Sequence, residues 1–501
     1  MRSPLRDDVW LRRLYLGLAV LSILPFWTVD YLPTVDGPCH TYNAWVLRQA
    51  GNAEEYPLFH RFYEVNLKPF PNWTGHVVLA GLMYVVPPLV AEKLLVSAYA
   101  LLFLAGAWYL ARAVRPEERW PAFLAFPFVY NGMFQFGFYN FSLSLGLFFF
   151  ILGLWWRHRE APSPGFAVKV NLLLGLCYFT HILSFGLSLV SIGVLWLVTL
   201  RRGSWKRHLL HVPVLLPQIF LPLWFLLHQG GGSVPSDTSF QGLVEYLLRL
   251  GVLYTFSEIQ LVMATALSGV ILILAVLTVL RRPRFSFREE DGFLLLSILF
   301  VLFYFVSPSE TAGGSVLKPR LSLYPFLVLI PWLAPRLNLR VRRAAVAGLA
   351  LLAVLDVGYQ VHWHRKMDRE MQEYLAGLEG ISPHSRLLPL TFDTHGSAAV
   401  LPILGHAASY AALEKSLIDW DNYEAAVGFF PVRFRRSVPR PDIGAIETRK
   451  EDFPVEEYKS RADSVYTWKM PADLPVEERL REHYVAVGEK NGGILWERNR
   501  R

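Results

Sequence analysis

Asp36 and His40 stand four residues apart in "LPTVDGPCHTYNAWVLRQ", just where an apolar N-terminal run gives out. If the helix after Gly37-Pro38 begins early, both side chains share one face. A carboxylate beside an imidazole there suits a general base with an orienting partner, or two ligands of a divalent metal, although two ligands are a weak metal signal. The plainer reading of Asp36 is a turn or helix-capping aspartate. An ionisable group at the edge of a bilayer is costly to keep and points to function by default.

Other polar residues fall at similar places: His60, Lys68, Asn72 and His76 beyond the first run, Asn131, Gln135 and Asn140 around "YNGMFQFGFYN", His181 in "YFTHILS", and Lys318 with Arg320 in "SVLKPRLSLYPF". Each has a local alternative. His181 fits a packing histidine, Asn131, Gln135 and Asn140 fit bridges between neighbouring spans, and Lys318 and Arg320 fit interfacial cations that contact lipid head groups. No His-Glu-x-x-His, Cys-x-x-Cys or Gly-x-Ser-x-Gly motif points to a metalloprotease, a zinc ribbon or a serine hydrolase.

The elements that must position these groups are membrane helices. The 501 residues are 53% hydrophobic and only 18% charged, and mean hydropathy is positive. Apolar runs long enough for a hydrocarbon core of about 30 Å recur from Leu11 to about Val361 and then stop. The formal charge of +8 does not point to nucleic acid, because the cations cluster between apolar runs. Two cysteines are too few for a disulfide framework.

Basic clusters at Arg2–Arg13, Arg112–Arg119, Arg157–Lys169, Arg201–Arg207, Arg281–Arg288 and Arg336–Arg343 mark the cytoplasmic loops. The opposite short loops hold only Arg48, Arg61, Lys68, Lys93, Arg249, Lys318 and Arg320. This pattern predicts an α-helical polytopic protein of the plasma (inner) membrane with about eleven spans, N-terminus cytoplasmic and C-terminus extracytoplasmic, near 13–33, 92–112, 119–136, 138–157, 166–183, 184–200, 208–228, 259–280, 292–307, 320–337 and 342–361. The short piece 73–88 reads as a re-entrant or surface-lying helix, and the first outer loop, 34–91, is long enough for amphipathic helices. Residues 1–362 are expected to form the multi-pass domain and 363–501 a small extracytoplasmic α/β domain, with a strand in "SRLLPLTFD", a helix in "VEERLREHY" and a hairpin from "YVAVGE" to "GGILWERN".

The order of these features resembles the GT-C superfamily of integral membrane glycosyltransferases, which includes protein O-mannosyltransferases, oligosaccharyltransferase and the lipid A aminoarabinose transferase. The residues that carry the resemblance are "TVDGPCH", "LKPFPNWTGHVVLAGL" with "AEKLLVSAYALLFLAGAWYLAR", and "KPRLSLYPFLVL". It implies a sugar moved from a polyprenyl-phosphate donor to a glycan, lipid or protein acceptor at the outer face. Asp36, helped by His40, would be the catalytic carboxylate, and Lys68, Asn72, Gln135, His181, Lys318, Arg320 and Tyr324 would bind the donor. Lys68-Pro69-Phe70-Pro71 only approximates the family's donor element. Asn131 and Asn140 stand where a second acid is common, which leaves a divalent metal open. Two other classes stay in view: a transporter or flippase for lipid-linked saccharides, which needs polar groups at the midplane and a path to both faces, and a non-catalytic membrane component.

Overall fold

The computed structural model describes residues 4–200, 205–228, 232–236, 238–282, 286–311, 314–335 and 337–499. Parts of four basic clusters, Arg2, Arg201–Arg202, Arg284 and Arg336, lie outside the described residues. Among those described, seven helices are long and apolar enough to cross a membrane: Val9–Trp27, Pro88–Val114, Tyr139–His158, Ile182–Thr199, His211–His228, Glu258–Leu280 and Leu339–Ala376. Pro164–Thr180 and Asp291–Val306 are apolar but shorter.

Three of the expected spans are less regular, and the run 208–228 passes from α-helix, His211–Leu215, through a 3-10 turn, Leu216–Ile219, to α-helix again, Phe220–His228. The run 119–136 forms a 3-10 helix, Trp120–Phe128, and then a single α-turn, Gly132–Gln135. Pro127 inside this segment removes an amide donor and disfavours a regular α-helix there. The run 320–337 yields a helix of 13 residues, Leu317–Leu329, that contains Pro325. The segment at 73–88 is helical only over Thr74–Leu82.

Backbone contacts group the chain into two compact units: 1–25 with 97–134 and 139–361, and 26–96 with 135–138 and 362–501. Within the first unit, Tyr139–His158 is almost wholly buried. Gly146 lets it approach its neighbour closely, since a Cβ there would lie 2.8 Å from the Leu102 side chain. Small residues at crossings are how membrane helices pack without a hydrophobic driving force between them.

The second unit is built from the first loop and the tail together. A five-stranded sheet runs in the order Ile418–Asp419, Arg386–Thr391, Ser464–Trp468, Gly493–Arg498, Tyr484–Lys490. The first two pairings are parallel and the last two antiparallel. The strand, the helix Pro475–His483 and the terminal hairpin fall where the alternation of the sequence places them. From the first loop, the helix Gly37–Arg48 packs on Thr74–Leu82 and on the tail helix Ala408–Lys415, and Tyr63–Val65 pairs antiparallel with Val432–Phe434. The tail is thus folded around the segment that carries Asp36.

Candidate functional site

Asp36 immediately precedes the helix Gly37–Arg48, whose start is preset by Pro38. Its amide donates to the Phe136 carbonyl at 3.0 Å, and Val35 donates to that of Gln135 at 3.2 Å, so the turn at 135–138 holds this strand of chain in place. The carboxylate makes no cap hydrogen bond. Instead Oδ2 accepts from the Tyr423 hydroxyl at 2.7 Å, and Oδ1 lies 3.7 Å from Nε2 of His406. Nδ1 of His406 is 3.1 Å from Oδ2 of Asp421, and the backbone N–H of Asp421 in turn donates to Asp419 Oδ1 at 2.9 Å. Glu447 completes the group at 3.9 Å from Nε2 of His406, with a side chain 40% exposed where the others are buried. The cluster therefore reaches solvent along Glu447.

Charge and burial oppose each other here. Burial raises the Asp36 carboxyl above the ordinary range, against the pull of His406, His40 and the Tyr423 hydroxyl. Burial would lower His406, but Asp421, Asp36 and Glu447 overcome it and hold the imidazolium up to about 10. Burial likewise raises Asp421 to about 6 and Glu447 to about 7, against His406. A carboxylate whose proton affinity is raised by burial, set beside a fixed cation, is a suitable proton acceptor for a hydroxyl group.

His40 looks elsewhere. Its Nδ1 contacts Glu424 Oε1, while the other carboxylate oxygen of Glu424 accepts from His76 Nε2 at 2.8 Å and from the Asn43 amide at 3.0 Å. Burial would raise Glu424, but the two imidazoles hold it down at about 2. Asp36 and His40, four residues apart, thus feed two adjoining clusters of the same unit, joined through the neighbours Tyr423 and Glu424.

The remaining expected residues are dispersed. Lys68 is exposed, with Nζ 5.8 Å from the Phe70 ring. Asn72 adopts φ 68° and offers its carbonyl to His76 Nδ1 at 3.2 Å. Gln135 Nε2 lies 3.2 Å from His364 Nε2. In the other unit, His181, Arg320 and Tyr324 gather around Phe141, at 5.1, 5.8 and 6.3 Å from its ring. Lys318 has a local task there, donating to the Tyr304 and Phe305 carbonyls at 3.0 and 3.1 Å and so capping the helix Asp291–Val306. Asn131 is similarly occupied, its Oδ1 accepting from Met133 and Phe134 at 3.0 and 3.2 Å.

Compared with solved structures, the chain aligns over 98% of its length, and over 98% of the other chain, with ArnT from Cupriavidus metallidurans in the apo state, at a TM-score of 0.58 and 12% identity. The fold is similar to that of ArnT. No protein-family model matches the sequence, and no curated protein matches it either. At that identity the likeness to ArnT concerns the fold. Within this ArnT-like fold, the sequence-based reading singles out Asp36 but not the residues that surround it or adjoin its cluster, His406, Asp421, Tyr423, Glu424 and Glu447. The signal available was the run "IDWDNYEAAVG", in which acids alternate with aromatics although the surrounding tail reads as ordinary soluble sequence.

Proposed function

We propose that this chain is a membrane glycosyltransferase that moves a sugar from a polyprenyl-phosphate donor to an acceptor hydroxyl on the outer face of the membrane, with Asp36 as the general base. The observation that carries this reading is the setting of Asp36, which is buried, free of any capping duty, and held between the Tyr423 hydroxyl and the His406 imidazole. A hydroxyl group entering beside Glu447 gives its proton to Asp36 as its oxygen attacks the anomeric carbon, and the bond from that carbon to the phosphate oxygen breaks. His406, kept charged by Asp421, offsets the negative charge of the cluster and keeps the carboxylate oriented. General-base assistance of this kind is typically worth about 10²–10⁴-fold in rate. The fold is one that ArnT, a lipid A aminoarabinose transferase, also has.

The test is release of polyprenyl phosphate from a labelled lipid-linked sugar by the purified protein, using a panel of donors. Asp36→Asn keeps the shape and the Tyr423 hydrogen bond but removes the basicity, so turnover should fall by at least about 100-fold while the protein still folds. Wild-type turnover in the Asn variant would remove Asp36 from the chemistry. A wild-type protein that moves lipid-linked sugar across vesicles without cleaving it would favour a transporter.

A further inference from the structure

We propose that His40, His76 and Glu424 bind one divalent transition-metal ion of the zinc class. The three residues arrive from three separate elements, the helices Gly37–Arg48, Thr74–Leu82 and Tyr423–Val427. Their ligand atoms all lie within 4.8 Å of one another, and all three side chains are buried. The two imidazole rings meet edge to face with centroids 5.1 Å apart, and each turns one nitrogen toward the same carboxylate.

Two features beyond the trio resemble the support that metal ligands need. His76 has its second nitrogen, Nδ1, 3.2 Å from the Asn72 carbonyl, which fixes the ring with Nε2 directed at the centre. Asn72 itself has a left-handed backbone conformation, with φ 68°. Glu424 is steadied from the other side by the Asn43 amide at 3.0 Å, and Asn43 is itself exchanged with Asn422 through two hydrogen bonds of 2.9 Å. Such bracing is conspicuous around a buried carboxylate that two histidines already meet.

The donor set selects the ion. Magnesium and calcium take oxygen ligands, whereas two imidazoles and one carboxylate suit zinc and its first-row neighbours. Binding needs both imidazoles neutral, so any proton now shared between His40 and Glu424 leaves to solvent as the ion enters. The ion would tie the first loop to the tail and fix Tyr423, the residue next to Glu424 that donates to Asp36. It acts on the position of the base and does not itself need to touch substrate. The inference therefore stands or falls apart from glycosyl transfer.

The experiment uses the full chain in detergent, with any affinity tag removed and metals stripped by chelator, titrated with Zn²⁺ and with Co²⁺ as a spectroscopic substitute. One equivalent of bound zinc, a rise in Tm on its addition and visible absorption bands of four- or five-coordinate cobalt are expected. Glu424→Gln and His76→Ala should each lose that equivalent and the Tm response. His406→Gln should keep both. Glu424→Gln is close to isosteric, so a folded variant is within reach, and the wild-type titration decides without any variant. Absence of zinc binding and of a Tm response in the wild-type protein would overturn the proposal and leave a proton-shared His–Glu–His clasp. Loss of the ion in His406→Gln, with retention in His76→Ala, would also overturn it by placing the ion with His406, Asp421 and Glu447.

Discussion

Three ionisable groups around Asp36 hold their protons more tightly in the folded chain than they would when unfolded. His406 rises from its ordinary 6.5 to about 10, Asp421 to about 6 and Glu447 to about 7. A group whose pKa is raised by folding contributes stability that is complete below its unfolded pKa and is lost as pH climbs through the folded value. For His406 that window runs from about pH 6.5 to 10, and for the two acids from about pH 4 to 7. Stability supplied by this cluster therefore declines as the medium becomes alkaline. His406→Gln should lower stability most at pH 6, by an amount on the order of a few kcal/mol from the size of the shift, and the gap in Tm to the parent should close toward pH 10. A gap that stays constant across that range would mean that His406 is neutral. Arg320 belongs to the same scale. Its guanidinium lies 5.8 Å from the Phe141 ring, and a planar fork of this kind suits phosphate oxygens. If Arg320 holds the donor phosphate, Arg320→Ala should cost about 2–5 kcal/mol in kcat/KM, and Arg320→Lys should already weaken donor use. An alanine variant within about threefold of the parent would leave only contact with lipid head groups.

The position of Asp36 depends on a short turn. Gly137, at φ 85°, lies in the 135–138 segment whose carbonyls receive the amides of Val35 and Asp36. A Cβ on Gly137 would stand 2.5 Å from the Gly37 amide nitrogen and 2.7 Å from that of Asp36, with backbone on both sides and nothing free to yield. Gly137→Ala should therefore displace the base or unfold the turn, and the expected outcome is transfer reduced at least as strongly as by Asp36→Asn, together with a lowered Tm. Full activity with unchanged Tm would show that the turn is dispensable. Elements of this kind explain what could be read in advance. Apolar runs announce the spans, and alternation announces the tail strands, because those signals are local. The 3-10 segment at Trp120–Phe128 was hidden because hydropathy does not register Pro127. Asp36 was visible from its place at the end of a span. Tyr423, 387 residues away, was not, since no periodicity connects two residues that meet only in the folded unit.

For the molecule as a whole, the orientation in the membrane decides whether a donor and an acceptor at the outer face are reachable. The 38-residue helix Leu339–Ala376 begins with Arg340, Arg342 and Arg343, and at 1.5 Å per residue it is about 57 Å long, well beyond a hydrocarbon core of about 30 Å. If those arginines stay in the cytoplasm, the far end of the helix and everything after about Met367 emerge outside. The nine-residue helix Thr74–Leu82 bears on the same question from the other terminus. At about 14 Å it is too short to cross, so on this topology Pro88–Val114 would be the second crossing and would return Arg112 and Arg115 to the cytoplasmic side. Both ends of the argument can be checked in cells. Protease added to intact spheroplasts should cut beyond Met367, and a reporter fused after Arg115 should be active only in its cytoplasmic form. Protection of the tail until lysis, or an externally active reporter after Arg115, would invert the orientation, and with it the assignment of Asp36 to chemistry on the outer face.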